Sequence, residues 1–279
     1  MKIWAHTLVC NEERYLWFVV MSVINYIDKI LLWDTGSSDN SVKIIKELKK
    51  RYPDKIDFRE IGPVNADTYT KARQAMLDET KSDWFMILDG DEVWYDDSIF
   101  KVRNIIEKSG AYIESIVTKY YNVIGDIYHY QEEKAGRYSI DGKEGHITIR
   151  FMKRSIPGLY TSKPHGQHGY YDENNILVQD RDIKRRKFVE APFMHFTHMI
   201  RSNSLAEDAK VPKRDFKFKF ELGKDFPRDH FYPEVFFLKK PEFIESPWER
   251  MSSYYYVRSL YQTPLKYIKR RMIKSPVGY

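Results

Sequence analysis

Short apolar runs alternate with amphipathic stretches along the first hundred residues of the chain. The apolar runs predict buried strands, and the stretches between them repeat their apolar residues at the spacing of helices. Strands and helices that alternate in this way indicate βαβ units and a mainly parallel sheet. The predicted strands are 3–9, 29–34, 56–61 and 84–88, and the predicted helices are 12–27, 42–51 and 67–80.

The pattern changes after Gly110. Segments 111–123 and 146–153 alternate like longer, half-exposed strands, and the chain from Ser204 onward shows no clear strand pattern. These changes divide the chain into three predicted parts. They are an α/β nucleotide-binding half at 1–110, a mixed acceptor-binding half of the same domain at 111–200, and a basic helical or irregular extension at 201–279.

Charge is distributed unevenly along the chain. The formal net charge is +6, and residues 201–279 contain 17 Lys and Arg against 10 Asp and Glu, a balance of +7. The excess is greatest at 266–274, which holds five basic residues and no acidic one. Such a segment is typical of contact with an anionic membrane surface, and a solvated basic tail is the alternative.

Cysteine content and hydropathy indicate a compartment. Cys10 is the only cysteine, so no disulfide can form within the chain and a reducing compartment is expected. No apolar run approaches the roughly 18 residues that a membrane-spanning helix needs. The first residues enter a predicted strand without the pattern of a signal peptide. We therefore expect a cytoplasmic protein, with peripheral membrane contact as the alternative.

Polar clusters follow three of the predicted strands. They are Asn11-Glu12-Glu13, Asp34-Thr-Gly-Ser37 and Asp89-Gly-Asp-Glu92. In an open parallel sheet, ligands bind in the crevice beyond the carboxyl ends of the strands. Because all three clusters are predicted at such ends, they indicate one ligand-binding site.

Asp89 and Asp91 are the most distinctive pair in these clusters. Two carboxylates directly after a buried strand cannot both stay charged and buried without a compensating cation. A hard divalent ion such as Mg²⁺ or Mn²⁺ would neutralise them and bind diphosphate oxygens. Gly90 permits a tight turn and leaves room for a ligand. The alternative is an acidic turn in which Asp97 or Ser98 caps the next helix.

The loop that begins at Asp34 suggests nucleotide contact. Asp34 is placed to accept hydrogen bonds from a nucleobase or ribose, and Gly36 permits a sharp turn. Ser38, Asp39 or Asn40 can cap the following helix. The alternative is a capped loop that binds no ligand.

Four segments together resemble family-2 type glycosyltransferases with the GT-A fold, and they cover roughly residues 3 to 95. They are Leu8-Val-Cys-Asn-Glu-Glu13, Trp33-Asp-Thr-Gly-Ser-Ser-Asp-Asn-Ser41, Lys71-Ala-Arg-Gln74 and Asp83-Trp-Phe-Met-Ile-Leu-Asp-Gly-Asp-Glu92. The resemblance implies a GT-A-like α/β fold, a mainly parallel sheet flanked by helices. It also implies a nucleotide-sugar donor and a glycan, lipid or protein acceptor, with no nucleic acid as partner.

The resemblance also assigns roles to residues of the site. Asp34 would hold the base, Arg73 would lie near the base or phosphates, and Asp89 would approach the ribose or sugar. Asp91 would bind Mn²⁺ or Mg²⁺ together with Asp89. Asn11, Glu12, Gly36 and Gly90 complete the predicted donor site.

Two positions depart from the pattern of relatives. Many relatives have a second Asp where Thr35 stands and Asn where Gln74 stands.

The motif Met194-His-Phe-Thr-His198 resembles a late metal-binding histidine of similar enzymes, and His195 fits that position better than His198. A histidine packed in the core is the alternative.

The general base is the least defined residue. The segment Arg150-Phe-Met-Lys-Arg154, followed by Pro164-His165-Gly166, resembles a region that in similar enzymes often ends in His-Glu. Gly166 stands where that glutamate would be. An inverting transfer needs a base to deprotonate the acceptor hydroxyl. The candidates are Asp141, Glu144, His165, His168 and Asp172.

Three other functions remain as alternatives. A nucleotidyltransferase would also use an α/β domain and metal-binding carboxylates, but the Gly-rich phosphate loop typical of that class is not seen at 8–15. A nucleic-acid-binding protein would use the basic region 181–189 and the C-terminal segment, which leaves the carboxylate clusters unexplained. A catalytically inactive relative that binds sugar nucleotides would account for Gly166.

Overall fold

The computed structural model describes residues 1–164 and 167–272. The four strands predicted in the first hundred residues are confirmed, with small shifts at their ends. The elements of this half are β1 (Ile3–Val9), α1 (Leu16–Val23), β2 (Lys29–Asp34), α2 (Ser41–Arg51), β3 (Ile56–Glu60), α3 (Ala66–Glu79), β4 (Trp84–Ile87), β5 (Glu92–Trp94) and α4 (Asp96–Ser109).

The second half of the chain adds strands to the same sheet and two small hairpins beside it. Its strands are β6 (Ser115–Ile124), β7 (Asp126–Tyr130), β8 (Tyr138–Ile140), β9 (Lys143–Gly145), β10 (Ile147–Lys153), β11 (Tyr160–Ser162), β12 (Gly169–Tyr171), β13 (Arg186–His195) and β14 (Lys224–Asp225). Its α-helices are α5 (Leu205–Ala209) and α6 (Ser253–Met272).

The central sheet has the strand order β14-β7-β6-β10-β4-β1-β2-β3, and β13 pairs with both β6 and β5. Strands β3, β2, β1 and β4 are parallel, whereas β10 runs antiparallel to both β4 and β6. The predicted α/β class is therefore confirmed, with a parallel first half and a mixed second half.

Large aromatic residues fill the core between the sheet and its helices. Trp94 stacks on Phe193 with 4.6 Å between ring centroids and meets Phe151 edge to face at 5.5 Å. These three side chains, from β5, β13 and β10, are buried. Packing of this kind stabilises the junction of the two halves, because aromatic pairs contribute beyond the area that they bury.

Two predicted boundaries were wrong. The helix predicted at 12–27 begins only at Leu16, because Asn11 has a positive φ of 53° and a turn precedes the helix. The strand predicted from Ala111 begins at Ser115, since residues 109–113 form a turn that continues α4.

Part of the charge of the basic region 181–189 is paired within the chain. Its second half forms the start of β13, and its arginines bind carboxylates of the same chain. Arg181 binds Asp172 and Glu114, and Arg185 also binds Glu114. This pairing compensates part of the charge that suggested the nucleic-acid-binding alternative, whereas Lys184 and Lys187 are exposed.

The C-terminal part is largely irregular up to about residue 252, apart from α5 and β14. Helix α6 is the last element of the described chain. Of the predicted basic segment 266–274, residues up to 272 are described, so Lys274 lies outside the described residues. In the described part of the chain, no helix combines the length and apolar character needed to cross a bilayer.

His6 is a buried titratable group on β1. Its Nε2 lies 2.6 Å from Thr80 Oγ1, and its ring stacks on Phe85 at 4.8 Å. Burial, with a smaller effect of Arg73 and Arg154, lowers the pKa of His6 from 6.5 to about 3. The folded protein therefore keeps this ring neutral at pH values where the unfolded chain binds a proton.

His6 should make stability depend on pH. Its contribution is full above pH 6.5 and is lost as the pH falls towards 3, at up to about 1.4 kcal/mol per pH unit. His6→Gln should lower the slope of unfolding free energy against pH by about one proton, as measured by urea unfolding between pH 4 and 6.

The matched control for this experiment is His129→Gln. The pKa of His129 is raised, chiefly by its hydrogen bond with Asp126. Its stabilising effect is therefore full below pH 6.5 and is lost only at higher pH, so the control should leave the slope below pH 6 unchanged. An unchanged slope in His6→Gln would contradict the assignment.

Candidate functional site

The loops after β1 and β2 are joined to each other by hydrogen bonds. Asn11 N donates to Ser37 Oγ at 2.9 Å, and Ser38 N donates to Asn11 Oδ1 at 2.7 Å. Glu12 N donates to Ser41 Oγ at 2.7 Å. The structure thus brings two of the three predicted clusters together at the carboxyl edge of the sheet.

Asp34 is buried at the end of β2, where its carboxylate holds its own loop. Its Oδ2 accepts hydrogen bonds from the backbone N–H groups of Gly36 at 2.9 Å and Ser37 at 3.1 Å. Gly36 has a φ of +95°, and a Cβ there would lie 3.0 Å from Pro63. Contact of Asp34 with a nucleobase stays a prediction, because these bonds engage its carboxylate with its own loop.

Asp89 lies at the end of β4 between two arginines. Its Oδ1 accepts from Arg73 at 2.8 Å and its Oδ2 accepts from Arg150 at 3.2 Å. Burial alone would raise the pKa of this carboxyl, but Arg150 and Arg73 outweigh it and lower the pKa to about 2. Asp89 is therefore ionised at neutral pH and held by α3 and β10 together.

Asp91 is buried two residues further along, beside a cation from the C-terminal part. Arg201 Nη1 lies 2.5 Å from Asp91 Oδ2, and His195 Nε2 lies 3.5 Å from the same oxygen. The effects of Arg201 and His195 exceed that of burial and keep the pKa of Asp91 well below its usual range. A cation was expected beside Asp91, with a divalent metal ion as the candidate. In the structure the guanidinium of Arg201 neutralises Asp91.

Two buried glutamates belong to the same cluster. Glu12 accepts from Arg214 at 2.6 Å and lies 3.2 Å from Arg201, and burial raises its pKa to about 7. Glu92 accepts from Arg150, and burial raises its pKa to about 8. The cluster thus combines ionised aspartates with glutamates whose pKa values are raised, and Arg201 joins Glu12 to Asp91.

Sequence reasoning included Arg73 in the site but did not pair Arg150, Arg201 and Arg214 with these carboxylates. Arg150 carried a usable signal, because it is a cation between the apolar residues Ile149 and Phe151 of a strand. Arg201 and Arg214 lie in a segment without clear periodicity, more than 100 residues from their acidic partners. No local pattern could have paired them.

The sequence predicted that Gly90 leaves room for a ligand. In the structure, Gly90 instead packs against the side chain of Glu12. A Cβ at this position would lie 2.7 Å from Cγ of Glu12. The space above Gly90 is therefore filled by the Glu12 side chain. Any larger residue here would displace Glu12 from Arg201 and Arg214.

Asp91 and His195 are compatible with one divalent ion. Two ligands at roughly 2.1 Å from an ion can lie up to about 4 Å apart, and these two atoms are 3.5 Å apart. In the described residues no group of three or more His, Cys, Asp and Glu side chains is arranged to hold a metal. The pair fits an ion that draws its other ligands from phosphates and water, as Mg²⁺ commonly does.

Asp89 fits a metal less well than Asp91, because both of its oxygens are bound by arginine. His198 does not face the carboxylates in this arrangement. Its Nδ1 lies 2.7 Å from the carbonyl oxygen of Lys217 and its Nε2 lies 3.0 Å from Lys219 Nζ. The preference for His195 over His198 therefore agrees with the geometry.

The structure describes the surroundings of four of the five candidates for the general base. Asp141 binds Arg186 at the start of β13, whereas His195 ends that ten-residue strand, which spans roughly 30 Å. Asp172 binds Arg181, and Glu144 is exposed on β9. The structure does not bring Asp141 or Asp172 to the carboxylate cluster, and His165 lies outside the described residues.

His168 is the candidate that shares a cavity with Asp89. The cavity has a volume of about 470 Å³ and opens between α3, β10 and the β11–β12 hairpin. Its lining includes Asp89, Arg150, Lys163, His168 and Tyr170. Aromatic, cationic and hydroxyl groups around an acidic residue suit a polar ligand such as a sugar.

A sheet with acidic side chains collected at the carboxyl ends of its parallel strands is the architecture of α/β proteins that bind ligands there. Residues 6–207 match the family model described as Glycosyl transferase family 2, which covers more than half of the chain. The chain belongs to this family. The resemblance found in the sequence is thereby confirmed.

Solved structures with similar folds include two enzymes that share little sequence with this chain. The fragment 1-349 of S. aureus TarS in complex with UDP-GlcNAc is 12% identical, with a TM-score of 0.47, over 70% of this chain and 58% of that one. The chain therefore spans less than two thirds of that fragment.

Glucosyl-3-phosphoglycerate synthase from Mycobacterium tuberculosis, solved with Mn²⁺, UDP and glucosyl-3-phosphoglycerate, is 14% identical. Its TM-score is 0.44, over 77% of each chain. No match is found among curated proteins. At these identities and TM-scores we draw nothing about substrate from the likeness.

Arg201 should be essential for the stability of the cluster. Arg201→Gln leaves Asp91 buried without its cation, which should cost about 3–5 kcal/mol of unfolding free energy, measured by urea unfolding at pH 7.5. The double variant Arg201→Gln with Asp91→Asn should recover much of that loss, since the uncompensated charge is then absent.

Arg228→Gln is the matched control, because Arg228 is exposed. It should change the unfolding free energy by less than about 0.5 kcal/mol. Equal losses in the single and double variants at Arg201 would show that packing of the arginine, and not charge compensation, stabilises the site.

Proposed function

We propose that the chain transfers a sugar from a nucleoside-diphosphate donor to an acceptor hydroxyl, with inversion and with the help of a divalent ion. The observation that carries this proposal is the cluster of the half-buried Asp89 and the buried Asp91 with Arg73, Arg150 and Arg201. Family membership supports the reaction class. The geometry supports the placement of a diphosphate, because cations from three parts of the chain converge on the strand ends.

Asp91 and His195 would hold the ion, with Mn²⁺ or Mg²⁺ as the expected metals. When bound, such an ion stabilises negative charge on the departing diphosphate. Arg201 contacts the same oxygen of Asp91 that faces His195. We infer that Arg201 turns from Asp91 to a phosphate oxygen when the donor binds. Its positive charge is then paired with an anion both in the free protein and in the donor complex.

The donor base is expected at the loops after β1 and β2. Asn11 and Ser37 are linked there, and Asp34 fixes the backbone of the second loop. Asp89 follows β4, which pairs with β1, and it lines the cavity together with Arg73. This order would place the base near Asp34 and the sugar near Asp89.

The acceptor would enter the cavity lined by Tyr170, Lys163 and His168. We propose that His168 takes the proton of the acceptor hydroxyl as its oxygen attacks the anomeric carbon. The bond between that carbon and the phosphate oxygen breaks, and the oxygen keeps the electron pair. Positioned charges next to the leaving group lower the barrier because they need no reorganisation during the reaction.

A donor screen is the direct test of the reaction class. UDP-, GDP-, dTDP- and CMP-sugars should be compared by thermal unfolding with and without Mn²⁺. A ligand at a hundred times its Kd stabilises the native state by about 2.7 kcal/mol. Release of a nucleoside diphosphate supports glycosyl transfer, whereas release of pyrophosphate would assign nucleotidyl transfer.

Asp91→Asn should abolish Mn²⁺-dependent binding of the nucleoside diphosphate, because it removes the anionic ligand of the ion. Binding is measured by calorimetric titration of UDP, or of the nucleotide found in the screen. The matched control is Asp97→Asn, since Asp97 is an exposed acidic residue of the same segment. Metal-dependent binding that persists in Asp91→Asn would rule out the ion site.

His168→Gln should lower kcat by about 10²–10⁴ while leaving donor affinity unchanged, as expected for loss of a general base. Turnover is followed as nucleoside diphosphate release with an acceptor that supports the reaction. Gln167→Ala is the control, because Gln167 lines the same cavity and cannot act as a base. A kcat within threefold of wild type, roughly 0.6 kcal/mol in barrier, would reject His168 as the base.

A further inference from the structure

Helix α6 is attached to the rest of the chain by polar contacts and by packing of the Tyr255 ring against Phe218 and Phe220. The Tyr255 hydroxyl donates to the carbonyl oxygen of Lys219 at 2.6 Å, and Thr263 Oγ1 accepts from the backbone N–H of Leu222 at 2.8 Å. Tyr255, Ser259 and Thr263 are its buried residues. They recur every four residues, so one narrow face of the helix packs inward.

Two basic residues extend this inward face. Arg270 binds both carboxylate oxygens of Glu221, at 2.6 and 2.7 Å, and Lys266 Nζ donates to the carbonyl oxygen of Phe220 at 2.7 Å. The inward side therefore uses hydroxyl, ammonium and guanidinium groups. A helix on the surface of a globular protein normally turns its apolar face to the core and its polar face to water.

The outward side of α6 carries large apolar residues, which we call the outer stripe. With 100° between successive residues, its members lie within a sector centred opposite Tyr255, Ser259 and Thr263. Each is more than half exposed. They are Tyr254 (66%), Val257 (51%), Tyr261 (75%), Leu265 (68%), Ile268 (53%) and Met272 (78%).

Basic residues border the outer stripe on both sides. Arg258 and Lys269 fall on one flank and Arg271 falls on the other at helical spacing, and all three are exposed. The helix Ser253–Met272 contains no acidic residue. The outward surface of α6 is thus an apolar strip between cations.

These features identify the occupant of the surface by its chemistry. An apolar stripe with bordering Lys and Arg is the pattern of helices that lie in the interface of an anionic membrane. Each cation near such a surface contributes about 1 kcal/mol. A second copy of the chain would bring the same cations to the same place, so charge opposes pairing of two outer stripes.

We propose that α6 binds the surface of an anionic lipid bilayer through the outer stripe, with Arg258, Lys269 and Arg271 at the lipid headgroups. The helix would lie parallel to the membrane while its polar inward face keeps its contacts with segment 219–222. This inference goes beyond the proposed reaction and does not depend on it.

The test is sedimentation with lipid vesicles. The full chain should sediment with vesicles of phosphatidylcholine and phosphatidylglycerol and remain in the supernatant with phosphatidylcholine alone. The double variant Val257→Asp with Ile268→Asp should reduce the partition coefficient about tenfold or more, because it places charges in the apolar stripe. Both residues are exposed, so the fold should be kept, which circular dichroism checks.

Two further variants separate charge from apolar contact. Lys269→Glu with Arg271→Glu should remove the preference for anionic vesicles and its dependence on salt. Phe100→Asp is the control for a lost apolar group, because Phe100 is 54% exposed on α4. It should sediment like the wild type.

Two results would overturn the proposal. One is wild-type protein that stays in the supernatant with anionic vesicles, or a stripe variant that sediments as well as the wild type. The other is a dimer in light scattering without lipid that Val257→Asp with Ile268→Asp converts to a monomer. That second outcome would assign the outer stripe to self-association.

Discussion

Compensation of buried carboxylates by guanidinium groups is the constraint on which the site depends. A charge taken out of water costs several kcal/mol unless a partner of opposite sign is held in good geometry. Asp89 is matched by Arg73 and Arg150, and Asp91 is matched by Arg201. The parallel strands fix where the acids lie, α3 supplies Arg73, and the second half of the chain must supply Arg150 and Arg201.

This arrangement also gives the site its electrostatic character. The ionised aspartates lie next to Glu12 and Glu92, whose pKa values burial raises to about 7 and about 8. Arg73 and Arg150, which bind Asp89, are held on α3 and β10 before any ligand arrives. An anionic ligand would thus meet oriented charge and would not have to organise it, which is the condition under which electrostatic stabilisation is most effective.

The sequence was sufficient for the first half of the fold and for the acids of the site. Apolar periodicity defined four strands, and polar residues at their ends marked the edge where Asp34 and Asp89 lie. It was insufficient for β13, because cations at its start hid a strand whose Arg186 is buried by pairing with Asp141. It could not place Arg201, since pairing across more than 100 residues leaves no local periodicity.

The contacts of Arg214 connect the loop after β1 with the last third of the described chain. This residue donates to the carbonyl oxygen of Cys10 at 2.8 Å and to Glu12 at 2.6 Å, across about two hundred residues of sequence. During synthesis the first strand leaves the ribosome long before Arg214 does. The N-terminal βαβ units can form early, but Glu12 and Asp91 at their acidic edge remain uncompensated until Arg201 and Arg214 have emerged. Completion of this edge is therefore a late, long-range step of folding.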